Sequence, residues 1–570
     1  MKKTFLLSCL MLAAMPVMAA YTGHVYVDKN KNGVFDQSEK PLAGIKVSDG
    51  LNVVETAADG SFTLPGHERE RFIFITTPSG YKTFNRHYHK IEKKQSGYDF
   101  GLIPYSGRIR KNGSHRYIHI ADTEIFNTEN HADWVNNVRD YARNEQAAFI
   151  IHTGDICYEK GLKAHIKLMN TENMDCPVFY CIGNHDLVKG KYGEELFESI
   201  YGPVYYSFDA GNVHYVVTPM PGGDHAPGYT SDDVCRWLKN DLAHIRPGTP
   251  VVVFNHDLLT YEDTFIFKSK NAGSINLNEY NLKAWVYGHW HINYMKKQGD
   301  VYSVCTSSLD KGGIDHSTTA FRVMHVDSKG DFTSELRYTY LDKNICIASP
   351  AGVMASGVLP VAVNVYSSVS PVREVLYTCL ADGKPVLKNK RLLQSTDWSW
   401  NGELPLSHKY VGKELTLRVT ARFNNGEIAE AESHFICRTE KAVPLFSADW
   451  DNLSGNAKHS APVSAPLNLP LQLAWTNNVG ANLYMTSPLI HKGKVIVASV
   501  DEDLKGVGHV YALNGKDGTI LWSCPVRNSI KNSIAVDSDI VFAQDAQGFL
   551  YAIDTETGKL CWEKQLPVTV

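Results

Sequence analysis

Five short motifs follow one another along the 570-residue chain: Asp122-Thr-Glu124, Gly154-Asp155, Gly183-Asn184-His185-Asp186, Asn255-His256 and Gly288-His289-Trp-His291. Their side chains are carboxylates, imidazoles and one amide, the donor set of divalent cations. Two such cations ~3.5 to 4 Å apart need roughly six or seven nitrogen and oxygen ligands, one of them a carboxylate able to bridge. Asp155 suits the bridge. His256, His289, His291 and the carbonyl oxygen of Asn184 complete a mixed set that favours Zn, Mn or Fe over Ca. The glycines beside them let backbone pass close to the ions. A lone histidine is usually an ordinary core or surface group, and His24, His67, His87, His89, His214, His325 and His434 are read so. His131, His225 and His316 lie in loops that could face the site, which makes His225 and His316 candidate substrate-binding residues.

Each motif closes a strand-like apolar run, as in RYIHIAD, AAFIIHTGD, CPVFYCIGNHD and TPVVVFNHD. Amphipathic stretches such as HADWVNNVRDYARNEQ separate these runs. Strands alternating with helices predict an α/β layered domain over residues 106–340, with its site at the carboxyl ends of the strands. On either side the texture is all-β. Short strands and turn clusters predict one β-sandwich over 20–105 and a second over 341–440. The remainder, 441–570, holds an internal repeat, since HVYALNGKDGTILW and FLYAIDTETGKLCW align at an offset of 40 residues. That period fits a propeller blade of about 40 to 45 residues, but the two blades fall short of the at least four that close a propeller. The expected fold class is therefore multidomain: an α/β layered core, a β-sandwich flanked by helices, with all-β accessory domains.

A twelve-residue stretch, DKNKNGVFDQSE, places Asp28, Asn30, Asn32, Val34, Asp36 and Glu39 at the ligand positions of a calcium loop, with Gly33 at the sharp turn. Its flanks are strand-like, so the structural Ca would sit within a sandwich. The alternative is a plain Asn/Gly-rich turn.

Composition narrows the partners. With 57 basic and 61 acidic residues the net charge is −4, so no global field draws the chain to nucleic acid or to anionic membrane. A basic start, an apolar run and small residues read as a signal peptide over 1–19, which implies export to the periplasm or beyond the cell. Cys9 has too few apolar residues before it to act as a lipoprotein acceptor. No later segment is long and apolar enough to span a bilayer. Cys379 and Cys437 could link two strands of one sandwich, a pairing the sequence leaves open.

Over about 120 to 325 the motifs, and connecting text such as YGPVYYSFDAGNVHYVV and SDDVCRWLKNDL, resemble the calcineurin-like metallophosphoesterase family. The resemblance implies that Asp122 and His291 hold one metal ion and Asn184, His256 and His289 the other, with Asp155 between them. It implies that His185 is catalytic beside the scissile phosphate, and that a hydroxide bound by the metal pair, with Asp155 supporting it, attacks a small phosphomonoester or phosphodiester. Glu124 departs from the family pattern, which has histidine there; either its carboxylate ligates and shifts that position towards harder metals, or it stands behind the ligands without touching the ion. The stretch GIKVSDGLNVVETAADGSFTL resembles the carboxypeptidase-regulatory-like and Cna-B-like sandwiches, and the repeats resemble the pyrroloquinoline-quinone-enzyme type of propeller blade. The competing reading is a non-catalytic envelope binding or scaffold protein with a degenerate metal site.

Overall fold

The computed structural model describes residues 21–439, 448–460 and 473–567. The segment expected as a signal, 1–19, lies outside them. The chain is multidomain and mostly β.

The first strands form two facing sheets. Strand Tyr21–Val27 pairs with Lys40–Pro41, Ser61–Leu64 and, in parallel, Phe100–Pro104. Lys46–Ser48 pairs with Val53–Glu55 and Phe72–Ile75 in a second sheet. Alternate residues point inward, so that Val25, Val47, Leu64, Ile73, Ile75 and Leu102 are fully buried in one core.

The central region contains two larger sheets. In one, Val178–Tyr180, Phe149–His152 and His115–Ile120 run parallel, followed by Ala320–Val326 and Phe332–Tyr338. In the other, Val213–Val217, Val251–Phe254, Leu282–Tyr287 and Val301–Cys305 run parallel, with Tyr206–Ala210 and Tyr294–Gln298 at the edges. Runs such as FIIH and VVVF are buried along their whole length, as parallel strands covered on both faces require. Side chains from both sheets meet in one apolar cluster, where the rings of Phe179 and Phe208 stack at 3.8 Å between centroids. The other face of the first sheet presents Ile118, Ile120 and Ile150 to Trp134, Val135 and Val138 of helix Ala132–Asn144. That helix buries Trp134, Val135, Val138, Tyr141 and Ala142, a stripe at three- and four-residue spacing. Helix Ser231–Ala243 starts at a capping box: the Asp233 amide donates to Thr230 Oγ1 and the Thr230 amide to Asp233 Oδ2.

A further pair of sheets, of four and five strands between Asn344 and Arg438, encloses a core that includes Leu417, Val419 and Phe423. Cys379 and Cys437 are buried in that core as free thiols. Beyond it lie two four-stranded antiparallel sheets, from Leu489–His491 to Ile520–Pro525 and from Ala535–Asp537 to Leu560–Gln565. The repeat shows in one device used twice. Trp475 Nε1 donates to Gly515 O and Trp522 Nε1 to Thr555 O, and each indole lies over a turn glycine, Gly518 or Gly558, where a Cβ would clash.

Buried charge ties these last sheets to the central region. Arg322, fully buried, pairs with Asp503. Lys531 Nζ donates to Asn293 O at 2.5 Å and to Asp315 Oδ2 at 2.9 Å, and pairs with Glu502.

Candidate metal centre

Each motif begins just past the carboxyl end of a strand: Asp122 follows His115–Ile120, Asp155 follows Phe149–His152, Asn184 follows Val178–Tyr180, His256 follows Val251–Phe254, and His289 follows Leu282–Tyr287. Five of the seven expected ligands have left-handed backbone: Asp122 (φ 51°), Glu124 (43°), Asp155 (55°), His289 (64°) and His291 (50°). Such conformations are costly for residues with a Cβ and gather where geometry serves function. The glycines are needed for close approach. A Cβ on Gly183 would lie 2.2 Å from Asp155 Oδ1, and one on Gly288 2.6 Å from Asp122 Oδ2.

The side chains converge. His256 Nε2 lies 3.2 Å from Asp155 Oδ2 and 4.0 Å from Asp122 Oδ1. His291 Nε2 lies 3.5 Å from both Asp122 Oδ1 and Glu124 Oε1. Asp155, His256 and His289 offer ligand atoms all within 4.8 Å of one another. Asp122, Asp155 and His256 are buried.

Two atoms test whether a metal fits. Asn184 Oδ1 is buried without a hydrogen-bond partner, a state that buried polar atoms rarely tolerate, and the buried His256 Nε2 faces the Asp155 carboxylate at 3.2 Å. Both would be satisfied as ligands. His256 Nδ1 meanwhile lies 2.7 Å from Thr153 O, the backbone contact that orients metal-binding imidazoles. The electrostatics agree. Burial, opposed by His256 and reinforced by Asp155, pushes the Asp122 carboxyl well above its usual range. Burial would lower His256, but Asp155 and then Asp122 lift it to about 9. The cluster therefore attracts positive charge into a buried place, and its mixed donors suit a transition-metal dication.

His185 stands differently. Its amide donates to Asp155 Oδ1 at 3.0 Å, while its ring Nδ1 lies 2.9 Å from Asp224 Oδ2. Burial alone would lower the imidazole, yet Asp224 raises it. Asp186 holds the loops instead: its carboxylate accepts from the amides of Asp155, Gly183 and Cys157. Asn255 fixes the turn before His256 by donating to Thr218 and Pro219.

The loop histidines do not join this cluster. His131 accepts from Trp134 Nε1 within its own helix entry, and His225 and His316 are exposed, with no hydrogen bond to a ligand residue among the described residues. Sequence reasoning missed Asp224 and Lys311, whose Nζ lies 2.7 Å from Glu124 Oε2. Both belong to loops far from the motifs in sequence, so no spacing signals them. In the calcium-type loop Asp28 and Glu39 are buried and accept from the amides of Gly33 and Lys29, and Asp36 accepts from Asn30 and Asn32.

Residues 115–293 match the family model described as calcineurin-like phosphoesterase. The chain carries a calcineurin-like phosphoesterase domain. Residues 29–104 match the N-terminal domain of calcineurin-like phosphoesterases, and 472–569 match the model of outer membrane protein assembly factor BamB. Purple acid phosphatase 13 of Arabidopsis thaliana is 26% identical over 215 residues, covering 35% of this chain and 36% of that protein. The chain thus spans about a third of the length of the curated relative it matches. Among solved structures, a predicted phosphoesterase from Streptococcus pneumoniae is 12% identical, with 40% of this chain and 98% of that chain covered at a TM-score of 0.20. BamB from Moraxella catarrhalis is 11% identical, with 43% and 57% covered at 0.13. Scores this low carry no argument on fold.

Proposed function

We propose that the calcineurin-like domain hydrolyses small phosphomonoesters or phosphodiesters with two divalent ions, Mn, Fe or Zn, in an exported protein. The observation that carries this reading is the buried, unpartnered carbonyl oxygen of Asn184 beside the buried His256 imidazole and the buried carboxylates Asp122 and Asp155.

Asp122, Glu124 and His291 would hold one ion, Asn184, His256 and His289 the other, and Asp155 would serve both. Bound there, the ions would supply Lewis acidity and bring a water molecule towards ionisation near neutral pH. The chain's own groups do the rest. Asp186 keeps the loops of Asp155 and Asn184 in one register through three amide bonds. His185, its ring Nδ1 2.9 Å from Asp224 Oδ2, stands at the mouth of the site as the group that can give a proton to the departing oxygen. The supporting architecture in this reading is a signal at 1–19, sandwiches over 20–105 and 341–440, a layered catalytic domain over 106–340 whose two sheets are flanked by helices, and propeller-type blades over 441–570. A BamB-like segment is consistent with a place in the cell envelope.

The test is hydrolysis of p-nitrophenyl phosphate and its bis ester by the intact protein with added Mn, Fe or Zn, beside Asp155→Ala and His256→Ala. Turnover in the wild type that falls at least about a thousandfold in both variants supports the reading. Equal rates, or no turnover with any of the metals, overturns it.

A further inference from the structure

Two large aromatic side chains stand in solvent at the motif loops, one of them next to His185. Phe126 is 56% exposed and Tyr158 43%, and their rings stack 6.2 Å apart at 17°. The Tyr158 ring lies 5.4 Å from that of His185. These rings are placed by the motif loops themselves: Phe126 sits two residues after Glu124, and Tyr158 three after Asp155.

The fold strains to present them. Cys157 and Tyr158 have left-handed backbone, φ 76° and 55°, a conformation disfavoured for bulky residues. The Cys157 amide is pinned by Asp186 Oδ1 at 2.9 Å, which fixes where Tyr158 leaves the loop. Helix Tyr158–Leu168 is in turn pressed against the Phe126 loop at Gly161, where a Cβ would lie 2.3 Å from Ile125 O. Only glycine there brings the two rings together.

Position and charge then select a ligand. In the reading above, on which this inference rests, His185 serves the departing oxygen, so whatever that oxygen carries extends past His185 towards Tyr158. An apolar π-face stabilises a flat ring by stacking. Asp224, partly exposed beside His185, disfavours an anionic group in the same space.

We propose that Phe126 and Tyr158 form a leaving-group shelf that makes the enzyme select phosphate esters of flat, uncharged aromatic alcohols over those of small aliphatic ones.

The experiment compares kcat/KM for 1-naphthyl phosphate and glycerol 2-phosphate in the intact metal-loaded protein and in Tyr158→Ala, Phe126→Ala and Tyr158→Phe. The naphthyl-to-glycerol ratio is expected to fall about tenfold in each alanine variant, chiefly through KM, and to be retained in Tyr158→Phe. Two separate alanine variants guard against a folding defect in either one. Hydrolysis of both esters with an unchanged ratio in both alanine variants overturns the shelf and leaves the phosphoesterase reading standing. Wild-type turnover of p-nitrophenyl phosphate or its bis ester without hydrolysis of 1-naphthyl phosphate overturns the shelf alone, and absence of hydrolysis of all four esters with Mn, Fe or Zn removes both readings.

Discussion

Lys311 Nζ donates to Glu124 twice, to Oε2 at 2.7 Å and to the backbone carbonyl at 3.1 Å. The extra negative charge that Glu124 brings, where the family pattern has histidine, is thus met by a lysine from a distant loop. The other carboxylate oxygen still faces His291 at 3.5 Å. Lys311→Met should free the second oxygen and remove a repelling cation, tightening divalent metal binding by about tenfold in calorimetric titration. Glu124→Gln should loosen it by roughly ten- to a hundredfold. Wild-type affinity in Lys311→Met would reduce the contact to an ordinary half-exposed ion pair.

Asp186 is the buried clasp of the site, and burial followed by the Asp155 charge raises its carboxyl to about 6. Asp186→Ala would strand three buried amides, each worth about 1 to 3 kcal/mol when unsatisfied. A loss of about 3 kcal/mol or more is expected in urea unfolding, with Asp186→Asn losing less because one oxygen remains.

Asp224 should matter to chemistry and little to folding, since it is largely solvent-facing. Asp224→Asn is expected to lower kcat by roughly ten- to a hundredfold for esters with poor leaving groups, and far less for p-nitrophenyl esters, whose oxygen needs little proton assistance. Equal losses on both would assign Asp224 a role other than supporting proton transfer by His185.

The calcium-type loop makes a prediction independent of catalysis. If Asp28, Asp36 and Glu39 bind Ca, chelation should lower the melting temperature of the wild type by several degrees and leave the Asp28→Ala, Glu39→Ala double variant unmoved. A chelator-insensitive wild type identifies a plain turn.

Acid stability has a named contributor in Glu335. Burial would raise its carboxyl, but His325 at 3.1 Å and Arg337 at 2.8 Å outweigh it and hold the group at about 2. A depressed carboxyl stabilises the fold fully above its unfolded value near 4.5 and ceases to do so as pH falls through about 2. Glu335→Gln should therefore flatten the decline of the urea midpoint across that window. Parallel curves for wild type and variant would exclude the contribution.

The gathering of the motif side chains was readable because parallel strands deliver them together at their carboxyl ends, as Asp155 after FIIH and His256 after VVVF illustrate. The repeats were readable from a 40-residue offset, and the structure adds its reason in Trp475 and Trp522, each laid over a turn glycine. Asp224 and Lys311 were not readable. Each meets a single motif residue across 39 or 187 positions, and single long-range pairs leave no periodicity. The sequence offers Asp155 or Asp186 as the partner of the His185 ring, but Asp155 meets its amide and the ring turns to Asp224 instead.

Lys531 gives the C-terminal repeats a hold on the interior of their neighbour. It reaches from the repeats to the carbonyl of Asn293, two residues beyond His291, and to Asp315. Removing one member of such a buried pair costs about 3 to 5 kcal/mol. The repeats are therefore no interchangeable appendage that recombination could trade for another β-domain. Loss of the repeats would remove the counter-charges of Asp315 and Arg322, and a new neighbour would have to bring its own.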